Sequence, residues 1–99
     1  MHRMEKKDIK RIDSLLDQYV KAHGLEKGLA EYRLLRSWNN LLGVSIAKKT
    51  RNMYIRNRTL FVVLYSSVVR NELDMMKDAL LERLNEAAGM KVIDDIVLK

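Results

Sequence analysis

The chain has no cysteine and no proline, only four glycines and two histidines, and no apolar run of membrane-spanning length. The lack of cysteine excludes disulfides, thiolate metal sites and cysteine nucleophiles together, and it fits a cytoplasmic protein. The start, Met1-His2-Arg3-Met4-Glu5-Lys6-Lys7-Asp8, has no apolar core of a signal peptide, so a soluble chain that is not exported is expected. Without proline or low-complexity sequence there is no sign of a linker, and no internal repeat is visible. The glycines build no phosphate loop: Gly24-x-x-x-Gly28 lies between helical stretches and lacks the Lys-Ser/Thr of a P-loop. His2 lies near the terminus and His23 at a helix end, where it reads as a capping residue. No trio of acid, base and nucleophile is in view. An enzyme is therefore not expected, and neither a cofactor, a metal nor a small-molecule substrate is implied.

What is present is enough for one domain spanning residues 1–99, able to bury about 65% of its unfolded surface. Its 47% hydrophobic residues argue against wholesale disorder. The net charge of +6 is polarised. Residues 1–60 carry 14 Lys and Arg against 6 Asp and Glu, whereas residues 61–99 carry 5 against 7. Such a distribution creates a field favouring a polyanion on one face.

Periodicity divides the chain into an N-terminal helix, residues 1–24, and a core, residues 25–98. From Met4 to His23, Ile9, Ile12, Leu15, Leu16, Tyr19 and Val20 follow one helical face. A second helix runs to Leu42 with Leu34, Leu35, Trp38, Leu41 and Leu42 in a stripe that marks Trp38 as a core anchor rather than a stacking platform. Gly43 stops it, and Val44 to Lys49 suit one more short turn. From Met53 the period becomes two, placing Met53 and Ile55 on one face and Tyr54 and Arg56 on the other. Leu60 to Tyr65 reads as a covered strand, joined to the first by a tight turn at Arg56-Asn57-Arg58-Thr59. Ser66 and Ser67 are N-cap candidates for one long helix to Ala88, with Glu72 near its start and Val69, Leu73, Met76, Leu80, Leu84 and Ala87 inward. Gly89 closes it. Val92 to Leu98 reads as a last strand, able to lie parallel to the strand before the helix. Adjacent strand residues face opposite ways, so Asp94-Asp95 reads as a solvated edge rather than a metal pair. The order α-α-β-β-α-β describes an α+β fold, a small three-stranded mixed sheet packed against helices.

The one concentrated chemical signal is a basic hairpin. Lys48, Lys49, Arg51, Arg56 and Arg58 fall within eleven residues, with Asn52, Tyr54 and Asn57 interleaved. This mixture suits phosphate contact with aromatic support. It equally suits a solvated edge whose cations discourage strand pairing.

Three blocks carry a resemblance: Trp38-x-x-Leu41-Leu42-Gly43-x-x-Ile46-Ala47-x-x-Thr50, then Leu60-x-Val62-x-Leu64-x-Ser66-Ser67-x-x-x-Asn71-Glu72-Leu73, then Leu80-Leu81-x-x-Leu84-Asn85-x-x-x-Gly89 with Val92-Ile93-x-x-Ile96. In this order they resemble the small bacterial DciA-type proteins, which operate the replicative helicase. The resemblance implies a KH-like domain that binds nucleic acid and assists loading or activity of the replicative DNA helicase. Of the matching positions, Trp38, Gly43, Leu60, Leu64, Glu72 and Leu73, most maintain the fold and do not identify a binding site. The chain departs from that pattern in having no glycine in the hairpin turn, and it has no Gly-x-x-Gly loop of RNA-binding KH domains. Longer relatives carry a basic tail, so contacts made through such a tail are expected to be missing here.

The expectation is a non-enzymatic, cytoplasmic accessory protein of DNA replication with DNA and the helicase as partners. Lys48, Lys49, Arg51, Arg56 and Arg58 are the candidates for phosphate contact and Tyr54 for stacking. The alternatives are a KH-like RNA-binding module, or an interaction scaffold whose basic face meets an acidic protein.

Overall fold

A computed structural model describes residues 6–99, with side chains from residue 11 onward, that of residue 13 excepted. The expected helix start at Met4, the His2 position and the Ile9 side chain lie outside the described residues. The elements are α1 (Lys6–Ala22), α2 (Glu26–Lys48), β1 (Thr50–Arg56), β2 (Thr59–Leu64), α3 (Ser67–Met75), α4 (Lys77–Ala88) and β3 (Asp95–Leu98). The fold is α+β, and its order is consistent with a KH-like small domain. The sheet order is β1-β2-β3, with β1 antiparallel to β2 and β3 parallel to it. The crossover through α3 and α4 is what permits the parallel pair.

The core follows from two rows of side chains at i, i+4 and i+8. Ala30, Leu34 and Trp38 on α2 face Leu80, Leu84 and Ala88 on α4. Leu60 and Val62 of β2 and Ile96 of β3 close the core from the sheet side, and Met53 and Ile55 pack partly buried against it. Only one sheet face is covered in this way, the arrangement that alternating strand patterns specify.

Several boundaries differ from the pattern-based expectation. The long helix is broken at Met76 (φ −114°, ψ 19°), which leaves Met75 and Met76 exposed. The break lets α3 rest on β2 and β3 while α4 turns to pack along α2. Ala88, not Ala87, completes the inward row, and Glu72 lies beyond the first turn of α3. Ser66 is the N-cap, its Oγ accepting from the Val69 N–H at 3.3 Å. The helical run of α2 is interrupted at Gly43 (φ 83°, ψ 168°), a conformation reserved for glycine, before the short turn to Lys48. On α1, Ile12, Leu15, Leu16 and Tyr19 are exposed, and among the described side chains of that stripe only Val20 is buried. The stripe is helical as expected, but the described residues do not cover it. Beyond α1, the His23 Nδ1 sits 2.9 Å from the Tyr19 carbonyl, so a proton there caps that end.

The last strand is shorter than its apolar letters suggest. Val92 and Ile93 are fully buried yet lie outside the ladder, because the Asn85 Oδ1 accepts both of their N–H groups (2.9 and 3.1 Å) and its Nδ2 donates to the Ile93 carbonyl (3.0 Å). One α4 side chain therefore replaces a strand partner for two residues.

Candidate nucleic-acid interface

The geometry of the basic segment is set at the Trp38–Thr50 junction. After the glycine break, the turn delivers the chain to β1 with the Trp38 Nε1–H donating to Thr50 Oγ1 at 3.0 Å, and Thr50 Oγ1 donating to the Ile46 carbonyl at 3.0 Å. Thr50 pairs with Leu64 and Asn52 with Val63, so Arg51 is the extra residue of a β-bulge. The bulge resets the alternation: Thr50 turns to the core, yet Asn52, Tyr54 and Arg56 lie on the opposite, open face.

Across that open face Tyr54 pairs with Phe61, and the rings stack with centroids 4.9 Å apart and planes inclined by 12°. The Lys99 ammonium lies 5.2 Å from the Phe61 centroid. Phe61 is paired in turn with Val97. Lys48 and Lys49 sit at the Thr50 end of the sheet, where the Lys49 carbonyl accepts from Tyr65 and the Lys99 carbonyl from Leu64. Arg56 sits at the other end, five residues beyond Arg51 and so about 16 Å along the strand. Lys48, Lys49, Arg51 and Arg56 are all exposed, and none forms an ion pair with a described residue.

Arg58 is placed differently. Asn57 (φ 50°) and Arg58 (φ 58°) both take the left-handed conformation that a two-residue type I′ hairpin requires. The Arg58 guanidinium donates to both Asp94 carboxylate oxygens (Nε 2.8 Å, Nη2 3.1 Å) and to the Lys91 carbonyl, while its own carbonyl accepts from the Asp94 N–H at 2.7 Å. Those bonds hold the hairpin tip against the loop before β3. They also hold the Asp94 carboxyl below the usual carboxylate range. Asp95, hydrogen-bonded by Lys77 at 3.0 Å, is lowered for the same reason. The two adjacent aspartates are thus each engaged by a cation. Among the described residues no three His, Asp or Glu side chains gather as a metal site, and no described helix is long and apolar enough to cross a membrane.

The structure therefore brings Tyr54 and Arg56 together on one face, sets Lys48, Lys49 and Arg51 at one end of it, and turns Arg58 to Asp94. Phe61 and Lys99 belong to the same surface. The pairing of Phe61 with Tyr54 could have been counted from the hairpin register, whereas nothing local marks Lys99.

The family model described as "Dna[CI] antecedent, DciA" matches residues 11–98. The chain belongs to the DciA family. A curated relative, a UPF0232 protein of Corynebacterium glutamicum (strain R), is 27% identical over 85 residues, which is 86% of this chain and 48% of that protein. The chain thus spans about half the length of this curated relative, while the family match takes in α2, the whole sheet and both crossover helices.

Proposed function

We propose that this chain is a non-enzymatic accessory protein of bacterial DNA replication, acting in the cytoplasm by binding DNA and assisting loading or activity of the replicative helicase. The observation that carries the reading is family membership across residues 11–98. Lys48, Lys49, Arg51 and Arg56 support it as cations with no ion pair to a described carboxylate. The mechanism is electrostatic: the cations at the basic end and open face of the sheet neutralise phosphates and release the counterions condensed on the DNA, and the helicase is met on another surface. Arg58 serves this site by fixing the hairpin tip.

Fluorescence anisotropy with labelled single-stranded DNA, duplex DNA and RNA across a salt series tests the first half. Log affinity should fall against log salt with a slope of roughly −0.7 per phosphate neutralised on single strands and −0.9 on duplex. Removing Lys48, Lys49, Arg51 and Arg56 together should flatten that slope. No binding at low salt would overturn the DNA reading, and tighter binding to RNA would favour an RNA-binding module. Co-elution with the replicative helicase tests the second half, and failure to co-elute or alter helicase loading would refute it.

A further inference from the structure

We infer that the open sheet face is a stacking site for unpaired nucleobases, with the outer face of Tyr54 receiving a base as the next ring of the Tyr54–Phe61 stack. The inference rests on the DNA-binding reading above and goes beyond it in naming a ligand class, single-stranded nucleic acid, and a docking point.

A buried aromatic pair is core packing, but this pair is not buried. Tyr54 is 38% exposed on an edge strand, and the sheet face that carries it lies opposite the helices. The stack is directional. One face of Phe61 meets Tyr54 and the Lys99 ammonium lies over its ring, so the stack extends outward past Tyr54 toward the strand edge. Arg56 and Asn52 flank Tyr54 on its own strand and face. The Asn52 Oδ1 accepts from the Met53 N–H at 2.9 Å, which leaves its NH2 group as a donor toward a base edge. The acids at the Arg56 end are each paired, Asp94 with Arg58 and Asp95 with Lys77, so the charges left beside the stack, Arg56 and the Lys99 ammonium, are cationic. An apolar ring between cations matches a base between phosphates, a combination that a membrane surface or an apolar peptide lacks. In a duplex the base faces are already stacked, so the occupant is a single strand.

The test compares four probes by anisotropy: oligo(dT), an abasic strand of equal length and charge, a hairpin duplex, and oligo(dT) in high salt. Wild type should bind oligo(dT) more tightly than the abasic strand. Tyr54→Leu and Phe61→Leu, which keep apolar bulk, should each weaken oligo(dT) about tenfold while leaving abasic affinity and the salt slope unchanged. Phe61→Tyr, which keeps a ring, should restore binding, and circular dichroism establishes that each variant is folded. Equal binding of the base-bearing and abasic strands by wild type, or no loss in the leucine variants, overturns the stacking site even while the lysine and arginine variants still lose DNA. Loss of all binding in wild type overturns both readings, and preference for the duplex overturns this one alone.

Discussion

Replacing Thr50 by Val should uncouple the sheet from the core helix. The two side chains have nearly the same shape, so the perturbation is the hydroxyl alone. In the folded protein that hydroxyl accepts from the Nε1–H of Trp38, which is 1% exposed, and donates to the Ile46 carbonyl. Valine leaves a buried indole donor without its partner, a loss of about 1–3 kcal/mol, and removes a second bond of about 1 kcal/mol. A hollow lined by Trp38, Ala47, Thr50 and Arg51 opens beside the pair, so water can take over part of the lost acceptor. The expected cost is therefore about 2 kcal/mol, or roughly 10 °C in midpoint for a domain of this length. Trp38 is the single tryptophan, so its fluorescence in urea reads both stability and the local environment. Thr50→Ser keeps the hydroxyl and should cost under about 1 kcal/mol, the value of a partly buried methyl. If valine and serine proved equally tolerated, the hydroxyl would not be the link between α2 and β1, and the reasoning would fail.

Other substitutions probe the remaining supports. Gly43→Ala should cost about 1–3 kcal/mol from backbone conformation alone, since a Cβ there meets nothing within 4 Å; Gly28→Ala, equally unobstructed and helical, should stabilise by up to about 1 kcal/mol in the same urea titration. Asn85→Ala orphans two N–H groups and a carbonyl around a buried loop and should cost about 3 kcal/mol, whereas Asn85→Asp, which keeps the acceptors, should fall between it and wild type. For pH, the Asp94 carboxyl is lowered by Arg58, so the pair's stabilisation is present above the ordinary aspartate value near 4 and is lost as pH falls through the lower folded value. Asp94→Asn should therefore be less stable than wild type at pH 7, with the difference closing towards pH 2 in urea midpoints; a constant difference would contradict the ion pair.

The parts of this fold legible in the sequence are those fixed by repetition or by a residue's own backbone preference. The Leu34–Trp38 stripe, the Leu60–Leu64 run and the glycine stop at Gly43 need no distant partner to be recognised. Asn57 marks the turn for the same reason, being tolerant of positive φ. What escaped depends on partners far along the chain. Met76 is neither glycine nor proline, and its break answers the different neighbours of α3 and α4. Arg58 reads as one more cation until Asp94, 36 residues away, folds against it. Asn85 looks like a polar helix residue until Val92 and Ile93 arrive beneath it. The α1 stripe was legible as a helix face, but period alone says nothing of whether the same chain covers it.

These long-range pairings bear directly on the candidate surface. Residues 61–99 are net acidic, and β3 brings two of their aspartates beside a basic hairpin, which would cancel its field if both were unpaired. Instead Asp94 is held by Arg58 with Lys91 nearby, and Asp95 by Lys77. Spending one hairpin arginine on Asp94 both closes a turn that has no glycine and pairs the acid just before β3. The cations left over, Lys48, Lys49, Arg51 and Arg56, then pair with no carboxylate among the described residues and lie around the two stacked rings. The arrangement makes a double prediction for Asp95: Lys77→Ala, remote from the open face in sequence, should weaken binding of single-stranded DNA by unmasking that carboxylate near Arg56, and Lys77→Ala with Asp95→Asn should restore it. Anisotropy at low salt, where screening is weakest, is the place to look. An unchanged affinity in the single variant would mean that Asp95 lies outside the field felt by the strand.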